Sequence, residues 1–348
     1  VLAAEGGGLD GGANPRSRHR AGRLTGMERR RLLERAYVAA VLGIVVAIQI
    51  AYFDRGVVPG DAYNYLAAGE RLNAGHPLYE LSPGDRPADI NPKYWRVPLV
   101  SPPPIAVVWR PLALFGEAAV YGWWLAQVAA LLASLALLLR RRPVVTATAL
   151  LVLAFPFVYE FAVGNVNSFI LLALLASWRA AVGARMGVAG SLTTLAAAVK
   201  VTPAMVVWWV LATGGRAALP AIVGTASVAL AVSLVGAGVD NHLAYVAALT
   251  GGAVDFSPLS VAGMLRFLGA PEVVLRAVLP AVWLGAPILI WRLRRRPDRA
   301  FQVAVVAMIA ASPAVSINWF VLLLALLAPA AWSYPSHGPS EAPTPARR

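Results

Sequence analysis

Residues 117–142 read EAAVYGWWLAQVAALLASLALLLRRR. The stretch from 117 to 139 carries one charge, at its first position. At about 1.5 Å of rise per residue, such a helix is long enough to cross the roughly 30 Å apolar core of a bilayer. Three arginines end it, as expected of a helix emerging on the cytoplasmic side. Working outward, comparable apolar runs fall near 36–53, 143–159, 167–183, 187–199, 203–214, 217–237, 272–291, 300–313 and 317–332. The two runs around Lys200 are short and meet at a Thr-Pro break, where a continuous helix is disfavoured. Ten crossings follow, with both termini on one side.

Composition supports this reading. Hydrophobic residues make up 59% and charged residues 14% of the 348, against about 25% charged in soluble domains. So little polar surface could not coat a water-soluble globule of this size. The expected fold class is therefore all-α, a polytopic transmembrane helix bundle of about ten spans with a large first extracytoplasmic loop. Residues 1–35, rich in Gly and Arg, are expected to form a disordered basic cytoplasmic tail. Residues 36–332 form the transmembrane domain, and 333–348 a second disordered cytoplasmic tail. Within the domain, 54–116 is the extracytoplasmic loop, whose segment SPPPIAVVWRPLALF (101–115) has four prolines and suits an interfacial or re-entrant piece. With no cysteine, the chain has no disulfides, thiol chemistry or Cys-ligated metal.

The net charge of +13 reports orientation. With the N-terminal tail inside, 21 of the 30 basic residues face the cytoplasm, and 11 of the 17 acidic residues lie outside or at the outer interface. The basic balance thus points to membrane lipids as partners, and nucleic acid is not expected. The localisation expected is a multi-pass plasma-membrane protein with both termini cytoplasmic.

Polar groups gather at the outer ends of the apolar runs. They are Asp54, Asp61 and the loop that follows it, Glu160 with Gly164-Asn165-Val166-Asn167, Lys200-Val201-Thr202-Pro203, residues 257–266 and residues 312–318. Ionisable groups near membrane depth are costly and mark sites or pathways, so a single outward-facing cavity is the economical explanation. Asp61 opens DAYNYLAAGERLNAGHPLYE (61–80), with Tyr65, Ala68, Leu72 and Gly75 on one side of an interfacial helix. It reads either as a general base or as an N-cap. Asp54 is the alternative base, or an interfacial charge beside Arg55. Lys200 reads as a cation held for a ligand, or as one that snorkels to the interface. Arg266 reads as a second such cation or one half of an ion pair. Asn165 and Asn167 read as ligand contacts or as helix caps. Trp95, Trp123, Trp124, Trp208 and Trp209 read as interfacial anchors more than as stacking platforms. The histidines are too scattered to suggest a metal site.

The run Asp61-x-x-x-Tyr65 followed by Gly75-His76-Pro77-Leu78-Tyr79 resembles the first outer loop of glycosyltransferase family 87. In the same order follow Tyr94 with SPPPIAVVWRPLALF, then GNVNSFILLALL, AAAVKVTPAMVVWWVL, SPLSVAGMLRFLG and SPAVSINWFVLLL. Two positions depart from the family's pattern, which often has Gln where Asn165 stands and a His near Asn318. The resemblance, over about residues 36–332, implies a GT-C-like catalytic domain that transfers a sugar, typically mannose, from polyprenyl phosphate. It implies Asp61 as catalytic base, Lys200 and Arg266 on the donor phosphate, and Tyr65, Asn165, Asn167 and Asn318 on substrate. One base and a lipid-phosphate leaving group imply inversion on the extracytoplasmic face. The partners implied are a polyprenyl-phosphate sugar donor and a glycolipid or glycan acceptor, with no cofactor. A nucleotide-sugar donor is not expected, since no Gly-rich phosphate loop follows a strand. The rival class is a transporter or flippase, which would show two related halves and a midplane site. No such halves are visible.

Overall fold

The computed structural model describes residues 26–54, 56, 58–81, 97–250 and 255–333. Of the tails expected at 1–35 and 333–348, residues 1–25 and 334–348 lie outside the described residues, as do the loop residues 82–96, Trp95 among them. In chain order come α1 (Gly26–Phe53), α2 (Gly60–Asn73), α3 (Pro103–Ala113), α4 (Glu117–Arg141), α5 (Pro143–Val152), α6 (Ala154–Val163) and α7 (Asn167–Val182). They are followed by α8 (Met186–Val199), α9 (Ala204–Gly214), α10 (Leu219–Thr250), α11 (Val261–Phe267), α12 (Glu272–Arg292) and α13 (Pro297–Ala310). A 3-10 segment (Ile317–Leu327) and α14 (Ala328–Ala331) complete the order. There is no strand among the described residues.

Hydropathy locates the helices better than it counts crossings. Four helices are long and apolar enough to cross a bilayer alone, namely α1, α4, α10 and α12, or five if α5 and α6 form one bent span. The ten expected crossings exceed this. The run expected to cross at 143–159 is bent by 77° between α5 and α6. Pro156 supplies the reason: it has no N–H for the Val152 carbonyl, and its ring crowds that carbonyl one turn back. α10 runs past 237 to Thr250 but is broken at Gly238 (φ 77°, ψ 159°). The carbonyls freed there are taken by side chains. Arg110 Nη1 donates to Gly236 O (2.7 Å) and Asn241 Nδ2 to Ala237 O (2.8 Å). His242 Nδ1 lies 2.7 Å from Gly238 O.

The first helix also departs from expectation. It begins at Gly26, so residues 26–35, expected in the disordered tail, are helical. MERRRLLER consists of good helix formers, and Arg30 Nε meets Glu34 Oε1 at 3.1 Å one turn on. Trp209, expected at the interface, is fully buried instead. Its ring lies 5.5 Å from Trp178 and 4.9 Å from Phe301, and its indole N–H donates to Pro297 O at 3.0 Å. Trp208 is exposed.

α2 and α3 are part of the packed body. α2 buries Asp61, Ala62, Tyr65, Leu66, Ala68 and Gly69, a wider face than the four residues expected, and Gly75 lies beyond its end. It lies against α3 so closely that a methyl group at Gly69 would sit 2.6 Å from the Trp109 carbonyl oxygen. Backbone cannot yield as a side-chain tip can, so Gly69→Ala should cost about 1–3 kcal/mol, as overpacking does. Thermal unfolding in detergent should show a lowered midpoint. Gly122→Ala on α4, where a methyl meets nothing within 4 Å, should match the parent.

Candidate active site

Three stretches that interrupt helices face one another at one end of the bundle. The first is the turn between α6 and α7. Gly164 caps α6 in the left-handed conformation (φ 73°), and a methyl there would lie 2.9 Å from Ala62 Cβ. That approach brings Asn165 to α2, where its Nδ2 donates to Asp61 Oδ2 at 2.5 Å. Trp123 and Trp124 pin the same turn, donating to Gly164 O (2.9 Å) and Phe161 O (2.8 Å). Asp61 is therefore no N-cap. Pro59 holds that position without a side-chain cap bond, and Asp61 lies in the first turn. Burial raises its pKa to about 6, against the Asn165 hydrogen bond and the Lys200 charge, which lower it.

The second stretch is the break between α8 and α9. Pro203 disfavours the helical region for Thr202, and Lys200 ends α8 with an extended backbone (φ −154°, ψ 115°). Its side chain turns inward. At 9% exposure it does not snorkel: Nζ donates to Asn167 Oδ1 at 2.6 Å and lies 3.4 Å from the centroid of the Trp319 ring.

The third stretch precedes the 3-10 segment. Ser316 Oγ donates to Asn318 Oδ1, and Asn318 Nδ2 donates to Glu160 Oε2 at 2.9 Å. Asn167 Nδ2 reaches the same oxygen at 3.3 Å. Oε1 of Glu160 accepts from the Ser168 N–H (2.9 Å) and hydroxyl (2.8 Å). A carboxylate thus sits at the N-terminus of α7, where the helix dipole favours it.

Asp61, Tyr65, Asn165 and Lys200 all line one cavity of about 270 Å³, just below the ~300–1,000 Å³ usual for small-molecule sites. Thr202, Ser312, Ser316 and Trp319 join them on the polar wall, while Leu249, Leu279 and Trp283 form an apolar one. Asn167 and Asn318, expected on substrate, are fully buried behind this wall and hydrogen-bond to Glu160 and, for Asn167, Lys200. Asp54 is exposed at the end of α1 and does not line the cavity. Neither does Arg266, which pairs with Asp255 at 3.1 Å and Glu272 at 3.9 Å with its side chain 42% exposed. Glu160 was noted in the sequence only as one of the outer polar groups; its lone charge within AFPFVYEFAV was the available signal. Among the described residues no group of three or more His, Cys, Asp or Glu could hold a metal ion.

No curated protein and no solved structure matches the chain. Among protein families, residues 100–316 match Glycosyltransferase family 87. That stretch takes in the α6–α7 turn, Lys200 and the third stretch up to Ser316. With more than half of the sequence inside the match, this apolar helical protein belongs to glycosyltransferase family 87 and is a membrane glycosyltransferase.

Proposed function

We propose that the protein transfers a hexose, mannose by the family resemblance, from a polyprenyl-phosphate donor to a glycolipid or polysaccharide acceptor on the extracytoplasmic face, with inversion. The observation that carries this reading is the presence of a buried carboxylate, Asp61, and a buried ammonium, Lys200, on one small cavity. The acceptor oxygen attacks the anomeric carbon and passes its proton to Asp61. The bond from that carbon to the phosphate oxygen breaks, and its electron pair stays on the lipid phosphate. Lys200 holds this phosphate and stabilises the charge that gathers there. Thr202 supports the assignment: it lines the cavity beside Lys200, and its buried hydroxyl has no partner among the described residues. Arg266 is left out, since it pairs with carboxylates away from the cavity. The apolar wall suits a lipid-linked substrate, and the volume suits one sugar ring better than a nucleotide sugar.

In topology, we propose ten crossings with both ends cytoplasmic, made by α1, α4, the bent α5–α6 pair, α7, α8, α9, α10, α12, α13 and the 3-10 segment with α14. A reporter fused after Pro87 should read extracytoplasmic and one after Arg142 cytoplasmic. Both on one side would rule this topology out.

Asp61→Asn keeps size and the hydrogen bond to Asn165 in altered form but cannot accept a proton. Turnover should fall by about 10²–10⁴-fold, the usual contribution of a positioned general base, with donor KM little changed. Asp54→Asn, altering an exposed residue outside the cavity, should stay active. In the parent, turnover should fall on the acid side with a midpoint near 6, the value burial gives Asp61, because a protonated base has no acceptor left. A flat profile between pH 5 and 8 would discard Asp61 as the base.

Lys200→Ala should raise the donor KM and lower turnover, because a phosphate clamp acts in ground and transition states alike. Steady-state kinetics with polyprenyl-phosphate sugars of varied headgroup measure this, and unchanged donor kinetics in a folded variant would remove Lys200 from the site.

A further inference from the structure

We propose that Glu160 is a positioning residue that, through the side-chain amide of Asn167, aims the Lys200 ammonium into the cavity. The role rests on the reading of Lys200 as the phosphate ligand. Glu160 is fully buried and does not line the cavity, so it acts through another group. The amide of Asn167 is bound at both ends. Lys200 Nζ can only donate, so it faces Oδ1 (2.6 Å), and the carboxylate of Glu160 accepts from Nδ2 (3.3 Å). The amide therefore has a polarity, set at one end by Glu160 and read at the other by Lys200. Asn165 repeats the device alongside, with Nδ2 toward Asp61 and Oδ1 accepting the Asn167 N–H at 3.1 Å.

Capping α7 does not account for this residue. Satisfying the Ser168 N–H and hydroxyl takes one acceptor oxygen, which a neutral Gln supplies without the cost of a buried carboxylate. The second oxygen, Oε2, is what a Gln lacks, and it accepts from Asn167 and Asn318. In Glu160→Gln the new Nε2 would confront two amide donors. Asn167 would turn over to offer Oδ1, presenting its own N–H₂ to Lys200 Nζ, donor against donor. Lys200 would leave its place over Trp319.

The chain has only two lysines, Lys93 and Lys200, which makes the test direct. In a Lys93→Arg background, an amine-acylating reagent applied to the purified full-length protein in detergent modifies only Lys200 and the N-terminus, resolved by peptide mass spectrometry. Glu160→Gln should raise the acylation rate of Lys200 about tenfold or more, the scale of one lost charge-assisted hydrogen bond. It should raise the donor KM by a similar factor while the acceptor KM stays as in the parent. The double variant E160Q/N167D restores the polarity, since the amide then at position 160 donates to a carboxylate that still accepts from Lys200, while Asn318 can turn its Oδ1 to that amide and its Nδ2 to the Ser316 hydroxyl, which accepts as well as donates; it should recover both acylation rate and donor KM. Parental Lys200 reactivity in folded E160Q overturns the proposal. If E160Q does not fold, the double variant decides. Recovery of fold and of Lys200 reactivity supports the relay, and a double variant no better folded, or with Lys200 still altered, overturns it. A parent that transfers no sugar from any polyprenyl-phosphate donor would defeat the proposed function and leave the acylation result standing on its own.

Discussion

The carboxylate of Glu160 fastens the site together. Sealed from solvent at the start of α7, it cannot turn to water for hydrogen bonds, so the surrounding elements must supply them. α7 gives the Ser168 N–H and hydroxyl and the Asn167 amide, and the 3-10 segment gives Asn318. Gln127 on α4 donates to the Glu160 backbone carbonyl (2.9 Å) and to Ser168 Oγ (2.8 Å), bracing the same turn. Each hydrogen bond to such a buried charge is worth about 1.5–3 kcal/mol. These elements are therefore held in register by an interaction that tolerates little slippage, and Lys200 and Asp61 inherit their positions from it through Asn167 and Asn165.

The parts of the site legible in the sequence were those whose signal is local. Asp61 announces itself at the start of an amphipathic stretch in the long outer loop, and Lys200 as a lone charge in an apolar run before Thr-Pro. What each contacts was not legible. Asn318 lies 158 positions from Glu160, and Lys200 lies 33 from Asn167, separations that only the packing of helices closes. Arg266 shows the opposite case. Its partner Asp255 is 11 positions away, and a near surface carboxylate is a better match for an exposed arginine than a distant phosphate. The hydrogen bonds of Asn167 and Asn318 to Glu160 were hidden for a similar reason. An amide in a polar motif reads as a ligand until the buried carboxylate beside it is seen.

For the fold, apolar length was legible and continuity was not. Hydropathy is blind to a missing N–H, so the run containing Pro156 read as one span though the chain bends there by 77°. It also read the run at 317–332 as one more helix of ordinary pitch, where the chain winds as a 3-10 segment through Leu327. α1, α4 and α12 have no such break and lie close to their expected positions, apart from the early start of α1.

The broken backbone and the cavity have one physical cause. Inside an apolar body, backbone N–H and C=O groups outside a helix are tolerated only where protein or a wet cavity satisfies them. The stretches at 99–102, 200–202 and 311–314 all lie on the cavity wall. Tyr79 and Ser257, from the segments between the long helices, hold some of the irregular backbone in and beside these stretches. Tyr79 donates its hydroxyl to Ser101 O at 2.8 Å. Ser257 both donates to Val315 O (2.7 Å) and accepts from Val315 N–H (2.9 Å), while its own N–H goes to Pro313 O at 2.9 Å. α11 packs onto that brace so tightly that a methyl at Gly263 would fall 1.9 Å from Ser257 O. Ser257 and Tyr79 thus serve the site by fixing irregular backbone. The segments between the long helices are working parts of the cavity, because helices alone could not expose polar groups there and keep every backbone bond made.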